Sequence, residues 1–246
     1  MASSKPTNAG FTLIELLIVI AITAILAAIA LPAMNRLVAS HRTNNRADQM
    51  LAMFQFARAE AIRTNKPVLI CPTVIRNGTG TTNGCSKFQD YSDGTGWEGF
   101  LAFNDNDLDG EFTSSNTSSN TSSNTSSNTS PDTPVRTVAI NQNTNKIKVK
   151  LNWGVCKNNT NNCTDEITDS NMLAFMPNGQ FGLGYGADST KWTIGTSNVA
   201  IEIFDADYKD IKRRIVISPS GRPVVCYGNS KNGSVSASTL CSASLK

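Results

Sequence analysis

One stretch constrains this chain more than any other. Residues 11–31 form a run that is apolar except for Thr12, Glu15 and Thr23. At a rise of about 1.5 Å per residue, a helix of that length spans about 30 Å, the thickness of one bilayer core. The ten residues before it are polar, with Lys5 as their one charge. A secretory signal peptide is the simplest alternative, but its apolar region is about 7–15 residues long. This run is longer, and it leads straight into an amphipathic pattern, as a membrane helix joined to a domain would.

Glu15 interrupts the run. An unpaired carboxylate near the end of a spanning helix costs a few kcal/mol, on the order of 3. An ionisable residue at such a place is a functional candidate whose partner has to be named. Cleavage before Phe11 would create an α-amino group four residues away, about one helical turn. The N-terminal amine of an adjacent copy would satisfy Glu15 equally well. The plainer alternative is a glutamate at headgroup level.

The string Gly10-Phe11-Thr12-Leu13-Ile14-Glu15-Leu16-Leu17 resembles the class III signal of type IV pilins and type II secretion pseudopilins. The resemblance implies that residues 1–10 are a leader removed by prepilin peptidase between Gly10 and Phe11. It implies N-methylation of Phe11 and a docking role for Glu15 during assembly. Pro32 stands where helices of this family bend, and its missing N–H and ring clash supply a cause.

Beyond Pro32 the pattern changes. Arg36, His41, Arg42, Asn44, Asn45, Arg46 and Asp48 are polar, while Leu37, Met50, Leu51, Phe54, Ala57, Ala61 and Ile62 recur at spacings of three and four. That is an amphipathic helix with one buried stripe, expected over 32–65 because Pro67 marks a stop. No sustained heptad supports a coiled coil. His41, the one histidine, falls on the polar side. Without a second histidine or a carboxylate cluster beside it, it reads as a solvated residue.

From residue 66 to 246 the chain reads as short strands and turns. Residues 68–71, 99–103, 146–151, 173–175, 198–204 and 211–218 are strand candidates, and 146–151 alternates strictly. Asp109-Gly110, Asn178-Gly179 and Ser220-Gly221 punctuate them. Residues 198–204 and 211–218 look like a hairpin around 205–210. The expected class is α+β: a long N-terminal helix, half transmembrane and half amphipathic, on an antiparallel two-sheet head. Residues 113–130 repeat Thr-Ser-Ser-Asn. Such a tract cannot bury enough apolar surface to offset its ordering entropy, so a disordered insert is expected there. Its Asn-Thr-Ser triplets read as by-products of the repeat rather than glycan acceptors.

Six cysteines follow the apolar run. No C-x-x-C pair suggests zinc or thioredoxin-like chemistry, and an even count behind an export segment favours disulfides. They fall in three sequence-local pairs: Cys71–Cys85, Cys156–Cys163 and Cys226–Cys241. Free or differently paired thiols remain the alternative. With a net charge of +3, composition alone implies no nucleic-acid partner.

The head carries a second resemblance. Trp97-Glu98-Gly99-Phe100, Phe103-Asn104-Asp105 and Asp109-Gly110 are similar to the W-x-G…F-x-D…D-G block of the GspH/FimT/FimU family. Phe175-Met176-Pro177-Asn178-Gly179 resembles that family's F-x-P-x-G turn, and Ile217-Ser218-Pro219-Ser220-Gly221-Arg222 its closing I-S…G-R motif. The resemblance, strongest to its FimU-like members, implies a minor pilin with other minor pilins, the major pilin and prepilin peptidase as partners. It implies an inner-membrane location before assembly and the pilus afterwards. A GspH-like pseudopilin of type II secretion is one alternative. A FimT-like DNA-binding pilin is another, with Arg213, Arg214 and Arg222 as candidate DNA contacts. The G-R-x-R motif of that branch reads Gly221-Arg222-Pro223-Val224 here, so its second arginine is missing.

Residues 105–110, Asp-Asn-Asp-Leu-Asp-Gly, fit the first half of an EF-hand loop. The twelfth position is Asn116 rather than glutamate, and no flanking helices are indicated. The sequence therefore favours a hairpin turn, and no metal or other cofactor is expected. No nucleophile–base spacing, phosphate loop or paired metal-ligand motif points to an enzyme.

Overall fold

The longest element is a single helix, α1 (Leu13–Thr64). The structure, a computed structural model, describes residues 11–73, 85, 99–112, 131–140, 146–153, 172–184, 193–195 and 198–226. Thr12 caps α1, and Asn65 ends it in the left-handed conformation (φ 54°) two residues before Pro67, as the C′ position of a helix commonly does. Pro32 lies inside α1 without dividing it; it removes one backbone donor, and the turns on either side keep theirs. The leader and the repeat tract lie outside the described residues.

The chain forms two compact units, Met1–Ala39 and Ser40–Lys246. In the first, every residue from Phe11 to Val38 is exposed. In the second, α1 buries Ala47, Met50, Met53, Phe54, Ala57 and Ala61, the spacing of one helical face. This corrects the expected stripe at three places. Leu37 and Ile62 are 57 % and 52 % exposed, and Leu51 only borders the core. Met53 and Ala47 are in the stripe instead. A 3.6-residue period drifts around the helix, so residues at its edges leave the buried face.

Ten strands are described: β1 (Val68–Thr73), β2 (Gly99–Asn104), β3 (Thr133–Ala139), β4 (Ile147–Trp153), β5 (Met172–Phe175), β6 (Phe181–Gly184), β7 (Thr193–Ile194), β8 (Val199–Asp205), β9 (Lys212–Ile217) and β10 (Pro223–Cys226). They make two antiparallel sheets, one in the order β3-β2-β1-β5-β6-β7 and one in the order β10-β9-β8-β4. The fold is α+β with two sheets, as expected. All six strand candidates are strands, and β8 and β9 form the expected hairpin.

The alternation of side chains across a strand sorts the residues. Val68, Ile70, Phe100, Ala102, Leu173 and Phe175 of the first sheet join α1 and Val199, Ile201, Ile203, Ile215 and Ile217 of the second sheet in one core. Phe175 sits between Phe54 and Phe181, with ring centroids 6.4 and 4.7 Å away. Leu69, Cys71, Leu101, Phe103 and Ala174 point to the other face of the first sheet and form a smaller cluster covered by Phe112 and Cys85.

The connection from β2 to β3 is longer than the expected tight hairpin. Asn104 pairs with Thr133, so the chain leaves the sheet and returns on one rung after running through residues 105–132. Residues 105–110 are the first turn of that excursion. The reason is the inserted repeat: the turn residues are those of a tight hairpin, but the returning strand lies beyond the insert.

Candidate assembly helix and polar sites of the head

At the head of α1, Thr12 is the N-cap. The Glu15 N–H donates to Thr12 Oγ1 (3.3 Å) and the Leu16 N–H to the Thr12 carbonyl (3.2 Å). Thr12-Leu13-Ile14-Glu15 has the capping-box spacing, and a carboxylate in the first turn is favoured by the helix dipole. Glu15 thus has a local role that the sequence signals through that spacing, besides any role between subunits. Phe11 is 88 % exposed, and Gly10 lies outside the described residues. Thr23 directs its hydroxyl back onto the carbonyls of Val19 and Ile20, 2.9 Å each, which hides its polarity inside the helix. The remaining surface of this stretch is apolar, and α1 is long and apolar enough to cross a membrane.

The three arginines singled out for DNA are not brought to one face. Arg214 stands opposite Glu202 and gives it two N–H bonds, 3.1 and 2.5 Å. Arg213 falls on the opposite side of β9, in the row of Ile215 and Ile217, and donates to the Lys212 carbonyl. Arg222 is exposed in the turn before β10. A charge already paired at that distance contributes little to a phosphate-binding field.

The two glycine turns converge. Gly179 (φ 80°) lies between β5 and β6, and Gly221 (φ 73°) between β9 and β10. A Cβ on Gly221 would lie 2.1 Å from the Gly179 carbonyl oxygen, so only glycine fits. Arg58 of α1 donates to that same carbonyl (3.3 Å), and the Phe181 N–H donates to the Pro219 carbonyl (2.9 Å). The F-x-P-x-G and I-S…G-R segments therefore form one structural junction that ties α1 to both sheets. No local signal marks Arg58, because its partner is 121 residues away.

A second anchor joins α1 to the β8–β9 hairpin. Asp205, wholly buried, accepts from Arg42 at 3.3 Å and from the N–H groups of Asp207 (3.0 Å) and Tyr208 (3.2 Å). His41 beside it is exposed.

Residues 105–112 fold back on the sheet, with Phe112 edge-on to Phe103 at 5.0 Å. Gly110 takes a positive φ (72°), as does Leu108 (62°). Asp105 is buried, and its Oδ2 accepts from the Gly110 N–H at 3.2 Å. Burial pushes its carboxyl up to about 6; the Gly110 N–H partly opposes this, and the charge of Asp132 adds to it. Burial also raises Asp109. Asp132 closes the loop from the far side, its Oδ1 accepting the Asn106 N–H at 2.8 Å.

Cys71 and Cys85 form a disulfide across the Thr73–Cys85 bridge, with Cα atoms 5.5 Å apart. Cys226 is also disulfide-bonded, its partner lying outside the described residues with Cys156, Cys163, Cys241, Trp97 and Glu98.

Comparison with known proteins gives a consistent placement. Residues 5–31 match the prokaryotic N-terminal methylation motif, and residues 46–239 match the family described as type II transport protein GspH. Two crystal structures of the type IV minor pilin FimU from Pseudomonas aeruginosa strain PAO1 are similar. One, at 15 % identity and a TM-score of 0.39, covers 80 % of this chain and 95 % of its own. The other, at 15 % and 0.38, covers 79 % and 98 %. Likeness at that level carries no argument about function. No curated protein matches. The GspH match spans well over half of the chain and lies beyond an N-terminal methylation motif, and the chain accordingly belongs to the GspH family of pilin-type structural subunits.

Proposed function

We propose that the chain is a minor pilin of the type IV pilus. It waits in the bacterial inner membrane with its head in the periplasm, then enters the pilus, where it helps to initiate assembly and sits at the tip. Pili of this kind serve twitching motility, adhesion or DNA uptake. The observation that carries the reading is a lone carboxylate, Glu15, in the first turn of a helix that is exposed from its start to Val38 and, up to Leu31, apolar but for Glu15 and Thr23. Lipid satisfies that surface before assembly, and the equivalent helices of neighbouring subunits satisfy it afterwards. The amine of a cleaved N-terminus, one helical turn away in its own copy or on a neighbour, would give Glu15 a cation within the filament. Cleavage between Gly10 and Phe11 by prepilin peptidase and methylation of Phe11 belong to the same reading, as do other minor pilins and the major pilin as partners.

Replacing Glu15 with alanine tests it. The variant is expected to insert in the membrane and fold its head, while its share of sheared pili falls several-fold. Unchanged incorporation beside the wild-type protein would remove the docking role.

A second reading is a minor pseudopilin of type II secretion, favoured by the description of the matching family. Deleting the gene separates the two: loss of surface pili supports the first, and loss of secreted proteins with normal pili supports the second. DNA binding is not favoured. Arg214 is already paired with Glu202, and Val224 stands where the motif has arginine. Salt-sensitive DNA binding by the full chain, abolished by Arg222→Ala, would reverse that judgement.

A further inference from the structure

The turn that opens the β2–β3 excursion holds three carboxylates in a ring. One oxygen from each of Asp105, Asp107 and Asp109 lies within 4.8 Å of the other two. Each carboxylate also accepts a loop N–H: Gly110 to Asp105 Oδ2, Asp109 to Asp107 Oδ1, and Glu111 to Asp109 Oδ1. These bonds fix the side chains but leave the other oxygens. Asp105 is 1 % exposed, and its Oδ1 is buried with no hydrogen-bond donor; Asp107 Oδ2 is in the same state. Among the described residues, no cation pairs with any of the three. Lys66, nearby, donates to Asn106 Oδ1 instead.

A buried carboxylate oxygen without a donor is costly, and proteins resolve it by protonation, by an ion pair or by a metal. Its position selects among these. Asp105, Asp107 and Asp109 stand at the first, third and fifth positions of an EF-hand-like loop, and Gly110 supplies the sharp turn at the sixth. Ca²⁺–oxygen bonds are about 2.3–2.6 Å long, so two ligands on opposite sides of one ion are about 4.6–5.2 Å apart. All three oxygens lie within 4.8 Å of one another, so one ion of that size can reach all of them. Mg²⁺ dehydrates reluctantly and is rarely held by an all-protein carboxylate cage, whereas Ca²⁺ accepts the irregular geometry of such a turn.

We infer that Asp105, Asp107 and Asp109 bind one Ca²⁺ ion at the root of the β2–β3 excursion. The sequence argues against a complete EF-hand, because the twelfth position is Asn116. The site is instead a half-loop built on a strand end. Asp132, buried and bonded to the Asn106 N–H from the returning chain, supplies a further carboxylate close by. The ion neutralises the ring and cross-links the turn just where the long insert leaves the sheet. With so few protein ligands its affinity falls in the range of extracellular calcium modules, about 10⁻⁴–10⁻³ M. The inference is independent of which filament the chain joins.

The test uses the full chain in detergent micelles, stripped with chelator. CaCl₂ and MgCl₂ are titrated separately by calorimetry, and thermal unfolding is followed with and without each ion. One Ca²⁺ per chain and a raised melting temperature in excess Ca²⁺ are expected, with Mg²⁺ much weaker. Asp107→Ala removes the partly exposed ligand and leaves the buried one. It is expected to keep the calcium-free melting temperature while weakening Ca²⁺ binding roughly tenfold or more, since ligand charge sets affinity. Asp105→Asn, which keeps the side-chain shape, is expected to weaken Ca²⁺ binding likewise. No calcium binding by the full chain, undiminished binding by Asp107→Ala, or equal binding of Mg²⁺ would each overturn the inference.

Discussion

The two halves of α1 share one backbone and one handedness, yet they solve opposite problems. From Leu13 to Val38 every side chain is exposed, and most are large and apolar. From Ser40 to Thr64 the apolar residues are fewer and most gather on one face, with Met50, Met53, Phe54, Ala57 and Ala61 fully buried while Phe56 and Ile62 stay exposed. The first half, as far as Leu31, is apolar almost all round and needs an apolar surrounding; the second is amphipathic and needs one covering surface. The comparison teaches that helix propensity is shared, while the pattern of apolar residues decides what each half packs against. The stability of the head should therefore depend on the second half and be nearly blind to the first.

The largest expected effect is Phe54→Ala. It removes a ring packed on Phe175 within the main core and should lower head stability by about 3–5 kcal/mol, read from chemical denaturation in micelles. A loss below about 1 kcal/mol would break the comparison, because the second half would then not be anchored by its buried face. Next is the Cys71→Ser, Cys85→Ser pair. The bridge closes a 14-residue separation and should contribute about 3 kcal/mol; unchanged unfolding would show that the strand pairing suffices.

A smaller effect is a pH dependence. The Asp105 carboxyl is pushed up to about 6 from its ordinary 3.8. A group raised in the folded state favours folding when protonated. Its contribution is full below about pH 3.8 and is lost as pH rises through about 6. In calcium-free buffer the difference in melting temperature between wild type and Asp105→Asn should change across that window, with the wild type losing ground as pH rises. A flat difference would remove the shift. The smallest effect is Leu17→Ala in the first half, expected to leave head unfolding within about 0.5 kcal/mol. A larger change would mean that the exposed half is coupled to the head.

The legible parts of this fold share a cause. The strand at 146–151 shows in its alternation, the helix end in Asn65 and Pro67, and the turns in Asn178-Gly179 and Ser220-Gly221, all within a few neighbouring residues. Other features were hidden because their partners are far apart in the chain. Arg58 reaches Gly179, Arg42 reaches Asp205, and Asp132 closes a loop begun at Asp105. The site was legible in the same uneven way. Glu15 and the acidic turn stand out in the sequence, but the burial of Asp105 does not. Nor does the separation of Arg213 from Arg214 show in adjacent letters, although a strand sends neighbours to opposite faces.

The sequence by itself determined the apolar N-terminal run with its single carboxylate, the amphipathic continuation and the antiparallel β content. Periodicity and composition act locally, so they can be read before any contact is known. Tertiary structure alone decided that two glycine turns meet under Arg58, that Leu37 and Ile62 fall outside the core, and that a turn resembling half a calcium loop buries a carboxylate oxygen without a donor. Those outcomes depend on which distant surfaces come together, and desolvation is set by the assembled neighbours rather than by the residue itself.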